Sequence, residues 1–259
     1  MSELLKPNPF THAIRSGQKQ VGLWISLCSN IAADVIAPSG FDWVLLDMEH
    51  APNELQTVIG QLQAFDSSST TAIVRPMWSD PVVVKRLLDS GAQGLLFPMV
   101  QSVAEAERAV ASTRYPPRGI RGVSGSTRAN KFGRVSDYFD RVEQETTVIV
   151  QVETVAALEQ AEAIAAVDGV DGIFFGPADI GADIGQLGKP MAPEVWDLIR
   201  PVADRLITRG IPLGTIVSDL GFATKLLNDG FTFVACGNDT GLLADAADSV
   251  LASVKQGLA

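Results

Sequence analysis

Eight short apolar runs recur along the chain, and longer amphipathic stretches separate them. Continuous apolar runs of this length are typical of parallel strands that are covered on both faces. The stretches between them carry apolar residues at helical spacing, as at Leu55, Val58, Ile59 and Leu62. The runs occupy 21–27, 43–49, 72–75, 94–99, 148–153, 172–176, 212–217 and 231–236.

This alternation predicts an α/β fold, the (β/α)8 or TIM barrel. The 259 residues divide into eight units of about 32 residues each, which is within the usual size of that fold. A doubly wound open sheet is the alternative, but eight roughly equal units favour closure. We predict one domain over 1–259, with an extra N-terminal helix at 8–16. A long loop rich in Gly, Arg and Ser at 114–134 is predicted to be functional or interfacial.

Composition excludes several classes of partner. The chain has 30 acidic and 20 basic residues and a formal net charge of −10, which argues against binding to nucleic acid or to an anionic membrane. No apolar run is long enough for a transmembrane helix, and the first seven residues lack the pattern of a signal peptide. Two cysteines in a chain of this length indicate a reducing compartment, so we predict a cytoplasmic protein.

Polar residues follow several of the predicted strands, and barrel enzymes place their sites at these carboxyl-terminal ends. Side chains alternate along a strand, so three valines in 148–153 face the helices while Gln151 and Glu153 face into the barrel. Glu153 and Asp179 follow sequential strands, which lie about 4.8 Å apart. This carboxylate pair predicts a site for one divalent cation, Mg²⁺ or Mn²⁺. A salt bridge from Glu153 to Arg75 is the alternative.

Two further strand-end residues have both a chemical and a structural interpretation. His50 is placed where a general base is useful, or it is a loop histidine that caps the next helix. Arg75 is suited to bind a carboxylate or enolate oxygen, or it pairs with Asp47 or Glu49. No lysine ends a predicted strand, so a Schiff-base aldolase would lack its nucleophile.

Five segments at these positions carry a family resemblance: LDMEHAPN at 46–53, VRP at 74–76, YPPRGIRG at 115–122, QVET at 151–154 and GPAD at 176–179. In this order they resemble the HpcH/HpaI aldolases, which are metal-dependent class II pyruvate aldolases. The resemblance spans almost the whole chain. It implies reversible cleavage of a 4-hydroxy-2-oxo acid to an aldehyde and pyruvate, or a related 2-oxo acid such as hydroxypyruvate.

The resemblance also implies roles for particular residues. Glu153 and Asp179 match the ligands of a divalent cation, Mg²⁺, Mn²⁺ or Co²⁺. Gln151, Ala178 and Asp179 match positions that bind the 2-oxo acid. Arg75 matches an arginine that binds substrate and stabilises the transition state, and His50 matches the catalytic base.

Asp89 matches an aspartate that raises the basicity of the catalytic histidine. It ends the helix after the third strand, so within one barrel we expect it at the amino-terminal face, far from His50. The family is hexameric with exchanged C-terminal helices, which implies a homohexamer in which Asp89 reaches a neighbouring subunit and 242–254 is the exchanged helix.

Two alternatives to the aldolase remain open. One is a citrate-lyase-like or malyl-CoA-lyase-like enzyme of the same superfamily, which would cleave a CoA ester. The other is a non-catalytic protein that binds a 2-oxo acid. The presence of His50 beside the other site residues argues against a binder, since binding needs no base.

Overall fold

The computed structural model describes residues 5–258, and a closed barrel of eight parallel strands lies at its centre. The strands follow one another around the barrel in sequence order. They are β1 (Gln20–Ile25), β2 (Trp43–Asp47), β3 (Thr71–Arg75), β4 (Gly94–Phe97), β5 (Thr147–Val152), β6 (Gly172–Phe175), β7 (Leu213–Val217) and β8 (Phe233–Asn238).

Helices connect the strands and cover the outside of the barrel. Several begin at a polar side chain that accepts a hydrogen bond from the backbone of the first turn, as Ser29, Asp80, Ser102 and Thr154 do. The helices are α1 (Pro9–Arg15), α2 (Asn30–Ile36), α3 (Leu55–Phe65), α4 (Pro81–Asp89), α5 (Val103–Thr113), α6 (Tyr138–Arg141), α7 (Val155–Ala165), α8 (Pro177–Asp183), α9 (Pro193–Thr208), α10 (Leu220–Asn228) and α11 (Asp239–Gly257).

The barrel closes where β8 pairs in parallel with β1. This confirms the predicted (β/α)8 barrel and excludes the open sheet, which would leave two edge strands unpaired. The predicted strand at 231–236 begins and ends two residues later, as β8. The predicted N-terminal helix at 8–16 is α1, and the loop at 114–134 contains neither helix nor strand.

Large aromatic side chains fill the barrel interior near its amino-terminal end. Phe10 of α1 is fully buried, and its ring centroid lies 5.6 Å from that of Trp43 and 5.5 Å from that of Phe233. Glycines make room for these rings: a Cβ at Gly22 would lie 2.2 Å from Trp43, and one at Gly214 would lie 2.0 Å from Phe233. Helix α1 therefore plugs the bottom of the barrel, and the opposite end stays open.

Helix α11 contains the predicted C-terminal helix and extends it in both directions. Of its 19 residues only Asp239, at the first turn, is buried. The side chains of Leu242, Leu243, Val250 and Leu251 are 54 to 67% exposed. The helix thus projects from its own barrel with an uncovered apolar surface. Among residues 5–258, no helix combines the length and the apolar character needed to cross a membrane.

Candidate active site

A cavity of about 470 Å³ opens at the carboxyl-terminal end of the barrel. Five of the residues that the sequence singled out line it together: His50, Arg75, Gln151, Ala178 and Asp179. They lie at or just after the carboxyl-terminal ends of four different strands, so the closed topology brings them to one mouth. This is the end of the barrel at which TIM-barrel enzymes carry their active sites.

The side chain of Glu153 lies beside this cavity and is buried, with 2% of the residue exposed. Its Oε2 accepts a hydrogen bond of 2.5 Å from Nε2 of Gln151, and its Oε1 accepts one of 2.7 Å from the backbone nitrogen of Met99. Ile149, two residues before Gln151, packs in the barrel interior, as the predicted alternation requires. The alternative ion pair between Glu153 and Arg75 is not formed.

Glu153 faces a second carboxylate, that of Asp179 in the first turn of α8. Burial, with the negative charge of Asp179 in addition, raises the pKa of Glu153 to about 8, although the Met99 N–H acts in the opposite direction. Glu153 is buried while Asp179 is exposed to the cavity, and two adjacent carboxylates repel each other unless a proton or a cation lies between them. This electrostatic arrangement is typical of a cation site.

The surrounding groups also suit a hard divalent cation. Oε1 of Gln151 is buried and accepts no hydrogen bond from any residue in 5–258, so one amide oxygen is free. A Cβ at Gly176 would lie 2.8 Å from Oε2 of Glu153, so glycine keeps the space beside that oxygen open. The described residues hold no cluster of three or more His, Cys, Asp or Glu side chains around a point. Water and substrate oxygens would therefore complete the coordination by Glu153 and Asp179.

Arg75 is held rigidly at the mouth by carboxylates. Its Nε and Nη2 donate to Asp47 Oδ1 and Oδ2 at 2.9 and 2.7 Å, and its Nη1 lies 2.8 Å from Oε2 of Glu49. The guanidinium carbon lies 4.9 Å above the Trp24 ring, a cation–π contact. The structural alternative predicted for Arg75 is thus present, and Arg75 nevertheless lines the cavity.

Asp47 organises this side of the mouth. In addition to Arg75, it accepts hydrogen bonds from Trp24 Nε1 at 3.1 Å and from the backbone nitrogens of Glu49 and His50 at 3.0 and 3.4 Å. Burial works to raise the pKa of Asp47, but the hydrogen bonds and charge of Arg75 outweigh it and hold that pKa below its ordinary value. An ionised Asp47 therefore fixes both the arginine and the start of the loop that carries His50.

His50 lies at the rim, with 68% of its side chain exposed. Its Nε2 is 3.8 Å from Oε2 of Glu49, and burial raises the pKa of Glu49 despite the nearby Arg75. The imidazole does not cap the next helix: α3 begins with a capping box formed by Glu54 and Thr57. The ring is therefore available to a ligand in the cavity.

Asp89 lies at the other end of the barrel. It is the last residue of α4, just before β4 begins, and its Oδ1 accepts a 2.7 Å hydrogen bond from Arg121. One chain therefore does not bring Asp89 together with His50, in agreement with the topological expectation.

Two residues of the mouth received no role of their own in the sequence-based prediction, Asp47 and Trp24. Trp43 and Leu45 of β2 pack in the barrel interior, and Asp47 follows them on the same side. The same side-chain alternation that predicts Gln151 and Glu153 to face into the barrel therefore predicts an inward-facing Asp47 as well. Trp24 carried no comparable signal, because an indole in an apolar run looks like core.

Comparisons with known proteins agree with this description. The family model for HpcH/HpaI aldolase/citrate lyase matches residues 20–246. A pyruvate aldolase of Rhizobium etli is 47% identical over 248 residues, which cover 96% of this chain and 98% of the relative. A 4-hydroxy-2-oxo-heptane-1,7-dioate aldolase of Klebsiella pneumoniae is 47% identical over 246 residues, covering 95% of this chain and 93% of the relative.

A solved structure gives the same result for the fold. The crystal structure of a HpcH/HpaI aldolase/citrate lyase family protein from Burkholderia cenocepacia superposes with a TM-score of 0.92 at 36% identity, over 96% of this chain and 99% of the other. The fold and the mouth define a TIM-barrel carbon–carbon lyase. The chain belongs to the HpcH/HpaI aldolase/citrate lyase family.

Proposed function

We propose that this enzyme catalyses reversible aldol cleavage of a 4-hydroxy-2-oxo acid to an aldehyde and pyruvate, or a related 2-oxo acid such as hydroxypyruvate. The observation that carries the proposal is that a carboxylate pair, the buried Glu153 and the cavity-lining Asp179, and a fixed arginine lie around one cavity. A 2-oxo acid has a carboxylate and a ketone oxygen, which a cation held by the carboxylate pair and the arginine would bind from two sides. The names of the relatives in Rhizobium etli and Klebsiella pneumoniae support the same reaction class.

Glu153 and Asp179 would hold the divalent cation, for which Mg²⁺, Mn²⁺ and Co²⁺ are the candidates. When bound, the cation supplies Lewis-acid polarisation of the 2-oxo group and a template for the substrate oxygens. Gln151, Ala178 and Asp179 line the cavity and would contact the 2-oxo acid. Oε1 of Gln151, which has no hydrogen-bond donor among residues 5–258, would accept a hydrogen bond from the substrate there.

His50 would transfer the proton, and Arg75 would stabilise the negative charge that develops on the substrate. His50, directly or through water, removes the proton of the 4-hydroxyl group. The electrons of the O–H bond form the aldehyde C=O bond, the C3–C4 bond breaks, and its electron pair passes into the C2–C3 enolate. Arg75 offsets the charge on the enolate oxygen, and protonation at C3 gives the 2-oxo acid. Since Asp47 already holds Arg75 in place, no reorganisation is needed at this step.

The decisive experiment is hydrogen exchange at the methyl group of pyruvate. We expect purified protein with added Mg²⁺, Mn²⁺ or Co²⁺ to exchange the C3 protons for deuterium in D₂O, as followed by ¹H NMR. Glu153→Ala and EDTA should each abolish exchange, because both remove the cation. Glu159→Ala on the exposed face of α7 is the matched control and should leave exchange unchanged.

Full exchange in EDTA, or trapping of pyruvate on a lysine by borohydride, would overturn the mechanism. A metal-supplemented screen of aldehydes against pyruvate and hydroxypyruvate then identifies the substrates. The two alternatives are disfavoured and have distinct signatures. A CoA-ester lyase would turn over acyl thioesters, and a binder would take up pyruvate without exchanging its methyl protons.

We propose that the active assembly is a homohexamer in which α11 of each chain packs on a neighbour. The uncovered apolar face of α11 supports this, because exposed apolar surface of that extent is costly in a monomer. In such an assembly Asp89 would act in the neighbouring mouth.

We also propose a cytoplasmic location for the enzyme, which the two unpaired cysteines, Cys28 and Cys236, support.

A further inference from the structure

The lining of the mouth extends beyond the residues that would bind the 2-oxo acid. Those residues lie at the ends of β3, β5 and β6, and β4 contributes no lining residue among 5–258. A further part of the lining comes from the ends of β1, β7 and β8 and from the segment between α8 and α9. This part, here called the tail wall, consists of Ser26, Pro190, Met191, Ile216, Ser218 and Asn238. With the 2-oxo acid half between the carboxylate pair and Arg75, and the 4-hydroxyl group at His50, the tail of the aldehyde half would lie along this wall.

The tail wall presents apolar surface to the cavity. Gly214 of β7 faces the barrel interior, where a Cβ would lie 2.0 Å from Phe233. Alternation turns Ile216 to the same side, and its half-buried side chain packs on the aromatic cluster of the barrel interior. Pro190 and Met191 add apolar surface from the segment between α8 and α9. An alkyl group that contacts this surface is removed from water and leaves no polar group unpaired.

The polar side chains of the tail wall are uncharged. Ser26 and Ser218 are hydroxyl residues, and Asn238 already serves the backbone. Its Oδ1 accepts hydrogen bonds from the Gly241 nitrogen at 2.6 Å and from Oγ1 of Thr240 at 2.8 Å, and it thereby caps α11. Such groups can form a hydrogen bond with a tail, but they cannot neutralise a charge on it.

The mouth also lacks a cation for a second carboxylate of the substrate. Arg75 is the only arginine or lysine in the cavity lining among residues 5–258. Its guanidinium already pairs with Asp47 and, at 2.8 Å, with Glu49. A divalent cation would offset the charges of Glu153 and Asp179, and the 2-oxo acid itself brings a negative charge. A carboxylate at the end of the aldehyde tail would therefore lose water without gaining a partner.

We propose that the aldehyde partner of this enzyme has an uncharged, mainly apolar tail, and that Met191 and Ile216 select it over an aldehyde that ends in a carboxylate. The inference rests on the proposed aldolase function and adds to it the chemical class of the second substrate. Selection of this kind combines a favourable apolar contact with an unfavourable, unpaired charge.

The test compares two aldehydes of equal size, 4-methylpentanal and 4-oxobutanoate, in which an isopropyl group replaces the carboxylate. Aldol addition of pyruvate to each is followed by ¹H NMR with the full-length protein and added Mg²⁺, Mn²⁺ or Co²⁺. We expect kcat/KM to be about tenfold higher for 4-methylpentanal, because the carboxylate is left unpaired. Added salt should reduce this ratio, since it screens the repulsion between the carboxylate and the acidic mouth.

New cations on the tail wall should reverse the preference. Met191→Lys and Ser218→Lys each place an ammonium group beside the tail at a residue that is not fully buried. Each should shift the ratio by about tenfold toward 4-oxobutanoate, the usual effect of one hydrogen bond to a charged group. Leu187→Lys is the matched control. It adds the same charge to the segment between α8 and α9, but Leu187 is 80% exposed and lies outside the cavity lining, so the ratio should not change.

Deuterium exchange into pyruvate needs no aldehyde, so it separates a failure of this inference from a failure of the proposed function. With exchange intact, the inference is overturned if the wild type uses 4-oxobutanoate as well as 4-methylpentanal, which would mean that another group, such as one from a neighbouring chain, supplies a cation. It is also overturned if neither aldehyde reacts, or if both lysine variants keep the wild-type ratio, because the tail would then not lie along the tail wall.

Discussion

Single residues at the mouth illustrate how far side-chain alternation can be used. Glu153 was predicted to face inward because valines occupy the other side of β5, and its burial and its contacts with Gln151 and Met99 agree with that orientation. The hydrogen bond from Met99 had no sequence signal. It depends on a backbone φ of 52° at a non-glycine residue after β4, a conformation that neither periodicity nor composition predicts.

The carboxylate pair makes the stability of the metal-free protein depend on pH. The folded pKa of Glu153 is about 8, against an ordinary value of 4.5. Between these values the folded state keeps a proton that the unfolded chain has released, so rising pH favours unfolding. We therefore expect the free energy of unfolding in EDTA to fall as pH rises from about 5 to about 8, as measured by urea denaturation.

Two controls isolate Glu153 in this experiment. Glu153→Gln should flatten the pH dependence, because its amide does not titrate. Added Mg²⁺ should raise stability most at the alkaline end, where binding needs no proton release. Equal slopes for the wild type and Glu153→Gln would show that the pair does not govern the response.

At the scale of secondary-structure elements, the sequence predicted those whose residues are buried in an unbroken run. All eight strands are apolar runs enclosed on both faces, and this is the pattern that a sequence displays most clearly. Helices α2, α5, α6 and α8 were not delimited. Helices α2 and α8 have seven residues each, too few for a clear helical period, and tertiary contacts rather than local preference define such short helices. The plugging role of α1 depends on aromatic residues far apart in sequence.

That role leads to a prediction for Phe10. Because Phe10 is fully buried against Trp43 and Phe233, Phe10→Ala should lower the free energy of unfolding by about 3–5 kcal/mol. The turnover number of the folded fraction should stay near that of the wild type, since α1 and the mouth lie at opposite ends. Leu220→Ala, at a residue 65% exposed, is the control and should change stability by less than about 0.5 kcal/mol. A loss of turnover without a loss of stability would contradict a purely structural role for α1 at the bottom of the barrel.

At the scale of the whole molecule, one chain brings the candidate residues of the mouth together and yet leaves two features without a function. Asp89 is at the wrong end of its own barrel, and α11 exposes its leucines to solvent. The proposed exchange of α11 between subunits would cover the apolar face, and Asp89 would gain a role if the same assembly packs the lower end of one barrel against the mouth of another. Periodicity and composition within a single chain do not predict such a pairing, since its contacts lie between copies; in the sequence only the family resemblance implied it.

Mixed oligomers test this directly. Glu153→Gln and Asp89→Asn should each lose most activity when assembled alone. If Asp89 serves the neighbouring mouth, random co-assembly of the two variants should complete about one site in four, because each site then needs an intact Glu153 from one chain and an intact Asp89 from another. Differently tagged chains, co-expressed and purified through both tags, provide the mixture for an assay of aldol cleavage.

The reciprocal mixture removes the remaining ambiguity. Wild-type chains co-assembled with the double variant Glu153→Gln, Asp89→Asn should retain about one quarter of the sites if Asp89 acts between subunits, but about one half if it acts within its own chain. If Asp89 acts within its own chain and not between subunits, the expected fraction of active sites is therefore lower in the first mixture and higher in the second. Inactivity of the first together with half activity of the second would assign Asp89 to its own subunit. Since Asp89 and the mouth lie at opposite ends of one barrel, we expect the equal, one-quarter result in both.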